Sequence, residues 1–191
     1  MYEDLREQIT NAAKENKGIV LRQVVPQEIL PVWQEFLNCL NASARDDDPD
    51  FYNPDFVKAG KKLIGLIHFW GEFNLVTSKT KGFFSNMEKY KELVTAVYDG
   101  ELTDITMVMS VTDWDPSSTR HNDDADVMNL QCLGQTKWQV CQNYDGPCEE
   151  FILDPGDIIY VPKRLWHEVT AIGPRANMIF GYEANKLVDN S

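Results

Sequence analysis

The chain has 191 residues, enough for one domain with a sizeable apolar core. Its formal charge of −12 leaves no basic footprint for a phosphate backbone, which excludes nucleic acid as the expected partner and suits a basic peptide or protein instead. No apolar run approaches the roughly 18 residues of a membrane-spanning helix, and the acidic, amphipathic start is unlike a signal peptide, so a cytoplasmic protein without membrane contact is expected.

Residues 3–17 place Leu5, Ile9, Ala12 and Ala13 on one helical face, with Gly18 as a stop. Residues 18–25 read as a strand broken by Pro26. Residues 27–42 read as a second helix carrying Leu30, Trp33, Phe36, Leu37 and Leu40, with Pro31 in its first turn. Arg45-Asp46-Asp47-Asp48-Pro49-Asp50 is a solvated loop. Residues 51–84 are rich in aromatics and glycine, with a short strand expected around Leu63 to Phe69. His68 lies there without a partner at ligand spacing. Ser85-Asn86-Met87-Glu88 is a capping-box pattern opening a helix with Met87, Tyr90, Leu93, Val94 and Val97, closed by Asp99-Gly100.

After Gly100 short apolar runs alternate with turn signals. Strands are expected near 104–112, 127–133, 136–142, 149–153, 157–161, 166–172 and 176–182. Asp154-Pro155-Gly156-Asp157 suits a tight turn, and Gly173-Pro174-Arg175 marks another. Strands at this spacing imply a sandwich or barrel. The expected layout is a single domain over 1–191: a mostly helical N-terminal cover, 1–102, then a mainly β core, 103–183. Cys39, Cys132, Cys141 and Cys148 contain no C-x-x-C and read as buried, reduced thiols, a zinc site from Cys141 and Cys148 being the lesser alternative.

His121 and Asp123 are spaced i, i+2, which puts both side chains on one face of an extended segment. His167 supplies a third ligand if a β-fold brings the segments together. Two histidines and a carboxylate form the facial triad of non-heme Fe(II) oxygenases, which leaves metal positions open. Asp124 and Asp126 are nearby alternatives to Asp123, and manganese, nickel or zinc suit the same donors.

Two segments carry a family resemblance. HNDDADVMNLQCLGQTKWQV, 121–140, holds the first histidine and the aspartate, then Gln131, Gly134, Trp138 and Val140. LDPGDIIYVPKRLWHEV, 153–169, holds the PGD turn, the YVP segment and the distal histidine. With these, the chain resembles the JmjC and cupin-like 2-oxoglutarate-dependent oxygenases, in the branch of the asparaginyl hydroxylase of hypoxia signalling and the bacterial ribosomal-protein hydroxylases. The resemblance covers about a fifth of the chain directly. It implies a double-stranded β-helix, or jelly roll, with His121, Asp123 and His167 holding Fe(II). It also implies 2-oxoglutarate and O₂ as co-substrates, and hydroxylation of a C–H bond with release of succinate and CO₂. A peptide or protein side chain is the implied substrate, a small molecule the alternative.

The co-substrate site departs from the family. This branch usually carries a lysine or arginine fifteen residues after the first histidine, where this chain has Thr136. The lysine comes one place later, Lys137. A one-residue shift turns a strand side chain to the other face, so Lys137 points outward unless a bulge at Gly134-Gln135 restores it. Arg175, Arg120, or the hydroxyls of Thr136, Ser118, Thr119 or a tyrosine are the other candidates for the distal carboxylate. Gln131 is expected near metal or co-substrate, or satisfied within the sheet. Trp114 is expected at the substrate mouth, while Trp138 and Trp166 are expected to pack and Glu168 to be structural. The main reading is therefore an Fe(II)/2-oxoglutarate hydroxylase. The alternative is a cupin-like metal-binding protein that does not use 2-oxoglutarate. They separate on whether a basic side chain or hydroxyl cluster reaches the interior.

Overall fold

The computed structural model describes residues 2–43, 68–73, 84–98, 101–110 and 118–183. In chain order the elements are α1 (Tyr2–Lys14), β1 (Ile19–Leu21), a 3-10 turn (Gln27–Ile29), α2 (Trp33–Ser43), β2 (His68–Phe73), α3 (Met87–Val97), β3 (Glu101–Ser110), β4 (Ser118–His121), β5 (Val127–Cys141), β6 (Cys148–Leu153), β7 (Ile158–Val161) and β8 (Trp166–Glu183). No helix among the described residues is long and apolar enough to cross a membrane.

The mainly β class with N-terminal helices is as expected, but the double-stranded β-helix is not. The strands form one sheet in the order β1-β7-β5-β8-β3-β2, with β6 also on β5 and β4 also on β8. β1 and β2 end that path, so among the described residues the sheet stays open. A closed barrel requires its end strands to share a ladder. The cause lies in two long strands. β5 carries β7 along Val127–Leu130 and β6 along Thr136–Cys141, while β8 runs beside β5 almost throughout. The expected breaks at 134–135 and 173–175 are irregularities within these strands rather than ends. Gly134 explains how they cross. Its φ is +64°, and a Cβ there would lie 2.0 Å from the Pro174 carbonyl oxygen. The Asp154–Asp157 turn forms as read: the Asp157 N–H donates to the Asp154 carbonyl at 3.0 Å, and Gly156 has φ +96°.

β5 shows how alternation builds two faces. Met128, Leu130 and Cys132 point to a core shared with Ile9 and Ala12 of α1, Phe36 of α2, Tyr90, Val94 and Val97 of α3, and Met178 and Phe180 of β8. On the other face Val127, Trp138 and Val140 meet Leu153, Ile159, Val161, Leu165 and Val169. Buried Asp157 ties β1 to the turn before β7, accepting from Arg22 Nη1 at 2.6 Å, the Gln23 N–H at 2.9 Å and the Asp154 N–H at 3.0 Å.

Three further expectations change. Helix α2 starts at Trp33, after Pro31 rather than around it. Ser85 does not cap α3: Asn86 is the N-cap residue, and the Ser85 N–H and hydroxyl both donate to Glu35 Oε1 at 2.8 Å, joining α3 to α2. Cys141 and Cys148 are not reduced thiols but a disulfide, because the β5–β6 register sets them opposite each other. Cys132 is free and buried, as expected. Trp114, the aspartate run at 46–50 and residues 63–67 of the early strand lie outside the described residues.

Candidate metal site

β4 pairs with β8, and the register places His121 directly opposite His167. Asp123 follows just beyond the end of β4. The ligand atoms of His121, Asp123 and His167 all lie within 4.8 Å of one another. His167 Nε2 is 3.4 Å from Asp123 Oδ2, His121 Nε2 is 4.0 Å from the same oxygen, and the two imidazole centroids are 4.3 Å apart. His167 is buried, at 4% side-chain exposure, whereas His121 and Asp123 are near 40%. The cluster therefore has a closed back and an open front.

His167 is prepared as a neutral ligand. Its Nδ1–H donates to the Leu165 carbonyl at 3.1 Å, which leaves the Nε2 lone pair facing Asp123 and His121. Trp138 stacks on the ring at 5.6 Å. Burial, then repulsion from His121, pushes the His167 pKa below its ordinary value, partly opposed by the Leu165 hydrogen bond and Asp123.

The turn at residues 162–165 holds the loop that carries Asp123. The Arg164 N–H donates to the Asp123 carbonyl at 2.7 Å, and the Lys163 N–H donates to Asp126 Oδ1 at 2.9 Å. Arg164 adopts φ +64° to do so, a left-handed conformation that a non-glycine residue enters at a cost. Asp126 also accepts the Tyr98 hydroxyl at 2.7 Å and the Tyr160 hydroxyl at 2.8 Å. Burial, then the adjoining carboxylate, keeps both phenols protonated. Asp126 is thus occupied by three donors, and Asp124 is exposed beside Arg164, 3.9 Å away. Of the three aspartates weighed, Asp123 alone joins the histidines.

A row of polar side chains leads away from His167 along the same face. Trp138 Nε1 donates to Thr136 Oγ1 at 3.2 Å, and the Thr136 hydroxyl donates to Gln131 Oε1 at 2.7 Å. Asn177 Nδ2 donates to the same Gln131 oxygen at 2.9 Å, and Arg175 Nη1 donates to Asn177 Oδ1 at 3.1 Å. Gln131 Nε2 is satisfied by the Leu133 and Gly134 carbonyls. Arg175 is 3% exposed, and no carboxylate among the described residues pairs with it. Among the described residues its Nε has no hydrogen-bond partner, nor has either polar side-chain atom of buried Asn129. Burial pushes the guanidinium down to about 10, still charged at neutral pH.

The remaining candidates sort by face. Lys137 points outward, 36% exposed and 3.8 Å from Glu150, as the one-residue shift requires; the strand irregularity falls before Thr136 and does not turn it in. Arg120 Nη1 donates to the Tyr144 carbonyl at 2.8 Å, and its Nε lies 3.6 Å from Glu168. Ser118 and Thr119 are placed on β4 by their backbone. Sequence reasoning missed Asn129, Asn177, Tyr98, Tyr160 and the 163–164 turn. Asn129 and Asn177 had one available signal, a polar residue between apolar neighbours on a buried strand.

The 2-His-1-carboxylate cluster across β4 and β8 is a donor set suited to a mononuclear metal. A family model described as the JmjC domain matches residues 85–189, more than half of the chain, and the chain belongs to that family. No curated protein sequence matches it. Among solved structures it is similar to YcfD, a ribosomal oxygenase from Escherichia coli. Against YcfD with cobalt and succinic acid the identity is 19% and the TM-score 0.61, covering 90% of this chain and 49% of that one. Against YcfD with cobalt and 2-oxoglutarate the values are 18% and 0.62, with the same coverage. A third YcfD structure gives 16% and 0.64, covering 95% and 53%. The likeness is one of fold, and the chain spans about half the length of those structures.

Proposed function

We propose that this chain is an Fe(II)- and 2-oxoglutarate-dependent hydroxylase, with His121, Asp123 and His167 as the metal ligands. The observation that carries the reading is Arg175: a charged, buried guanidinium without a carboxylate among the described residues, at the far end of a polar row that begins at His167. Burying an unpaired charge costs several kcal/mol, about what a bound carboxylate returns. The interior is therefore not filled by apolar side chains alone, which favours the co-substrate reading over a metal-binding module that does not use 2-oxoglutarate.

Each residue then has a task. His121, Asp123 and His167 would hold Fe(II) by neutral imidazoles and a carboxylate. Leu165 fixes the His167 tautomer, and Trp138 shields that ring from water. Arg175 would receive the distal carboxylate of 2-oxoglutarate. Gln131 and Asn177 orient Arg175, and Thr136 spends its hydroxyl on Gln131. Bound iron with 2-oxoglutarate and O₂ supplies oxidative decarboxylation to succinate and CO₂, coupled to hydroxylation of a C–H bond. The half-exposed side of His121 and Asp123 is where a substrate would approach.

The proposed substrate is a protein or peptide side chain, supported by the acidic charge and by the fold shared with a ribosomal oxygenase. The same charge argues against nucleic acid. A single domain is supported by the apolar core that joins α1, α2 and α3 to the sheet. The test is anaerobic titration of the Fe(II)-loaded protein with 2-oxoglutarate, read by the metal-to-ligand charge-transfer band in the visible. The band is expected to appear, and to be lost in His167→Ala. Iron binding without the band would remove 2-oxoglutarate from the reading and leave the metal site.

A further inference from the structure

We propose that the Cys141–Cys148 disulfide sets how firmly the metal site is held, through a clamp made by Tyr144, Arg120 and Trp166. This rests on the metal reading above. The disulfide closes the β5–β6 hairpin at its last pair, and Cys141 also pairs with Trp166 on β8. The next pair along is Val140 with His167. The bridge is therefore one residue from the buried histidine, on the opposite face of the strands.

The loop that the disulfide closes reaches back to both histidine-bearing strands. The Tyr144 ring stands edge-on to Trp166, centroids 5.0 Å apart, next to His167. The Tyr144 carbonyl accepts Arg120 Nη1 at 2.8 Å, next to His121. Arg120 Nε lies 3.6 Å from Glu168, the other neighbour of His167. β4 is a four-residue strand paired with β8, and the Tyr144 and Glu168 contacts of Arg120 add to what holds the end of β4 that carries His121. Tyr144 itself is half exposed, and among the described residues it belongs to neither apolar cluster. Its position depends on the loop being closed, and a disulfide across a short loop removes most of the loop's alternative conformations.

Reduction would release that constraint. Cys148 is the more exposed sulfur and Cys141 is buried. A dithiol thiolate would attack Cys148 Sγ and expel Cys141 as thiolate, and the reductant's second thiol would resolve the mixed disulfide. Two electrons and two protons end on the Cys141 and Cys148 sulfurs, and the reductant leaves as a disulfide. Cytosolic disulfides are chiefly catalytic or redox-sensing, which suits a bridge placed behind a metal site. Arg120 and Tyr144 are positioning residues here, since neither belongs to the ligand cluster.

The test is anaerobic Co(II) titration, read by visible d–d absorption, of oxidised protein, of protein reduced by a dithiol and desalted, and of Cys148→Ser. Reduced and Cys148→Ser proteins are expected to bind Co(II) about tenfold more weakly, the lower end of what partners behind the ligands are worth. Arg120→Met in oxidised protein is expected to lose a similar factor, and the double variant no more than either alone. Equal Co(II) affinity in both redox states would overturn the clamp and leave the metal reading standing, as would additive losses in the double variant. Absence of Co(II) binding in the oxidised protein would overturn the metal reading and the clamp with it. Should Cys148→Ser fail to fold, the reduced wild type gives the same comparison.

Discussion

β5 and β8 each present two faces, and the two faces serve opposite ends. Toward the helices, Met128, Leu130, Cys132, Met178 and Phe180 are buried apolar side chains. Toward the candidate site the buried polar residues beside them are Asn129, Gln131, Asn177 and Arg175, and two of these four side chains carry atoms without hydrogen-bond partners among the described residues. The backbone hydrogen bonds are shared, so the contrast lies wholly in the side chains. Both faces carry a buried apolar cluster, but only the site face adds a row of buried polar groups with unpartnered atoms among the described residues, a cost to stability that a bound ligand would offset.

Substitutions on the two faces should therefore act with opposite sign. Leu130→Ala, set between Ile158 and Met178, should lower unfolding free energy by about 2–5 kcal/mol in urea titration. Loss of cobalt affinity in the folded protein at equal scale would show that the faces are not separable. Arg175→Met should weaken 2-oxoglutarate binding by roughly 2–5 kcal/mol, measured calorimetrically on the metal-loaded protein. The same change should leave stability level or raise it, because a buried unpaired charge is removed. A marked fall in stability would place Arg175 among structural groups.

The pH dependence sharpens the contrast. His167 has its folded pKa depressed, so the unfolded chain binds the proton more readily. Stability of the metal-free protein should be fully present above the ordinary imidazole value, about 6.5, and decline as pH falls below it. Urea midpoints at neutral and mildly acidic pH measure this, and His167→Gln should flatten the slope. The smallest effect is expected at Arg164, whose φ is +64°. Arg164→Gly keeps the N–H that holds Asp123 and relieves about 1 kcal/mol of backbone strain, less the added freedom of glycine when unfolded. A small net rise in thermal midpoint, with cobalt affinity unchanged, is the expected result.

The legible parts of the chain were those with local causes. The capping-box segment marked where a helix begins, the Asp-Pro-Gly-Asp turn marked its own geometry, and the one-residue offset between Thr136 and Lys137 foretold which side chain is buried. What stayed hidden depended on partners distant in sequence. Ser85 has the right neighbours for a cap but meets Glu35. The cysteine pairing followed from the β5–β6 register, which spacing alone does not fix. Whether the sheet closes depends on its two end strands, which the motif segments do not contain.

Asp126 carries one more consequence. Three donors from two parts of the chain, Tyr98 on one side and Tyr160 with the Lys163 backbone on the other, engage both oxygens of a carboxylate only three residues from Asp123. An acid so near a divalent cation would otherwise compete for its coordination sphere. Held by these donors, Asp126 would be kept from joining a metal at His121, Asp123 and His167, so a phenol pair and an amide outside the ligand cluster would help to leave positions on that metal open.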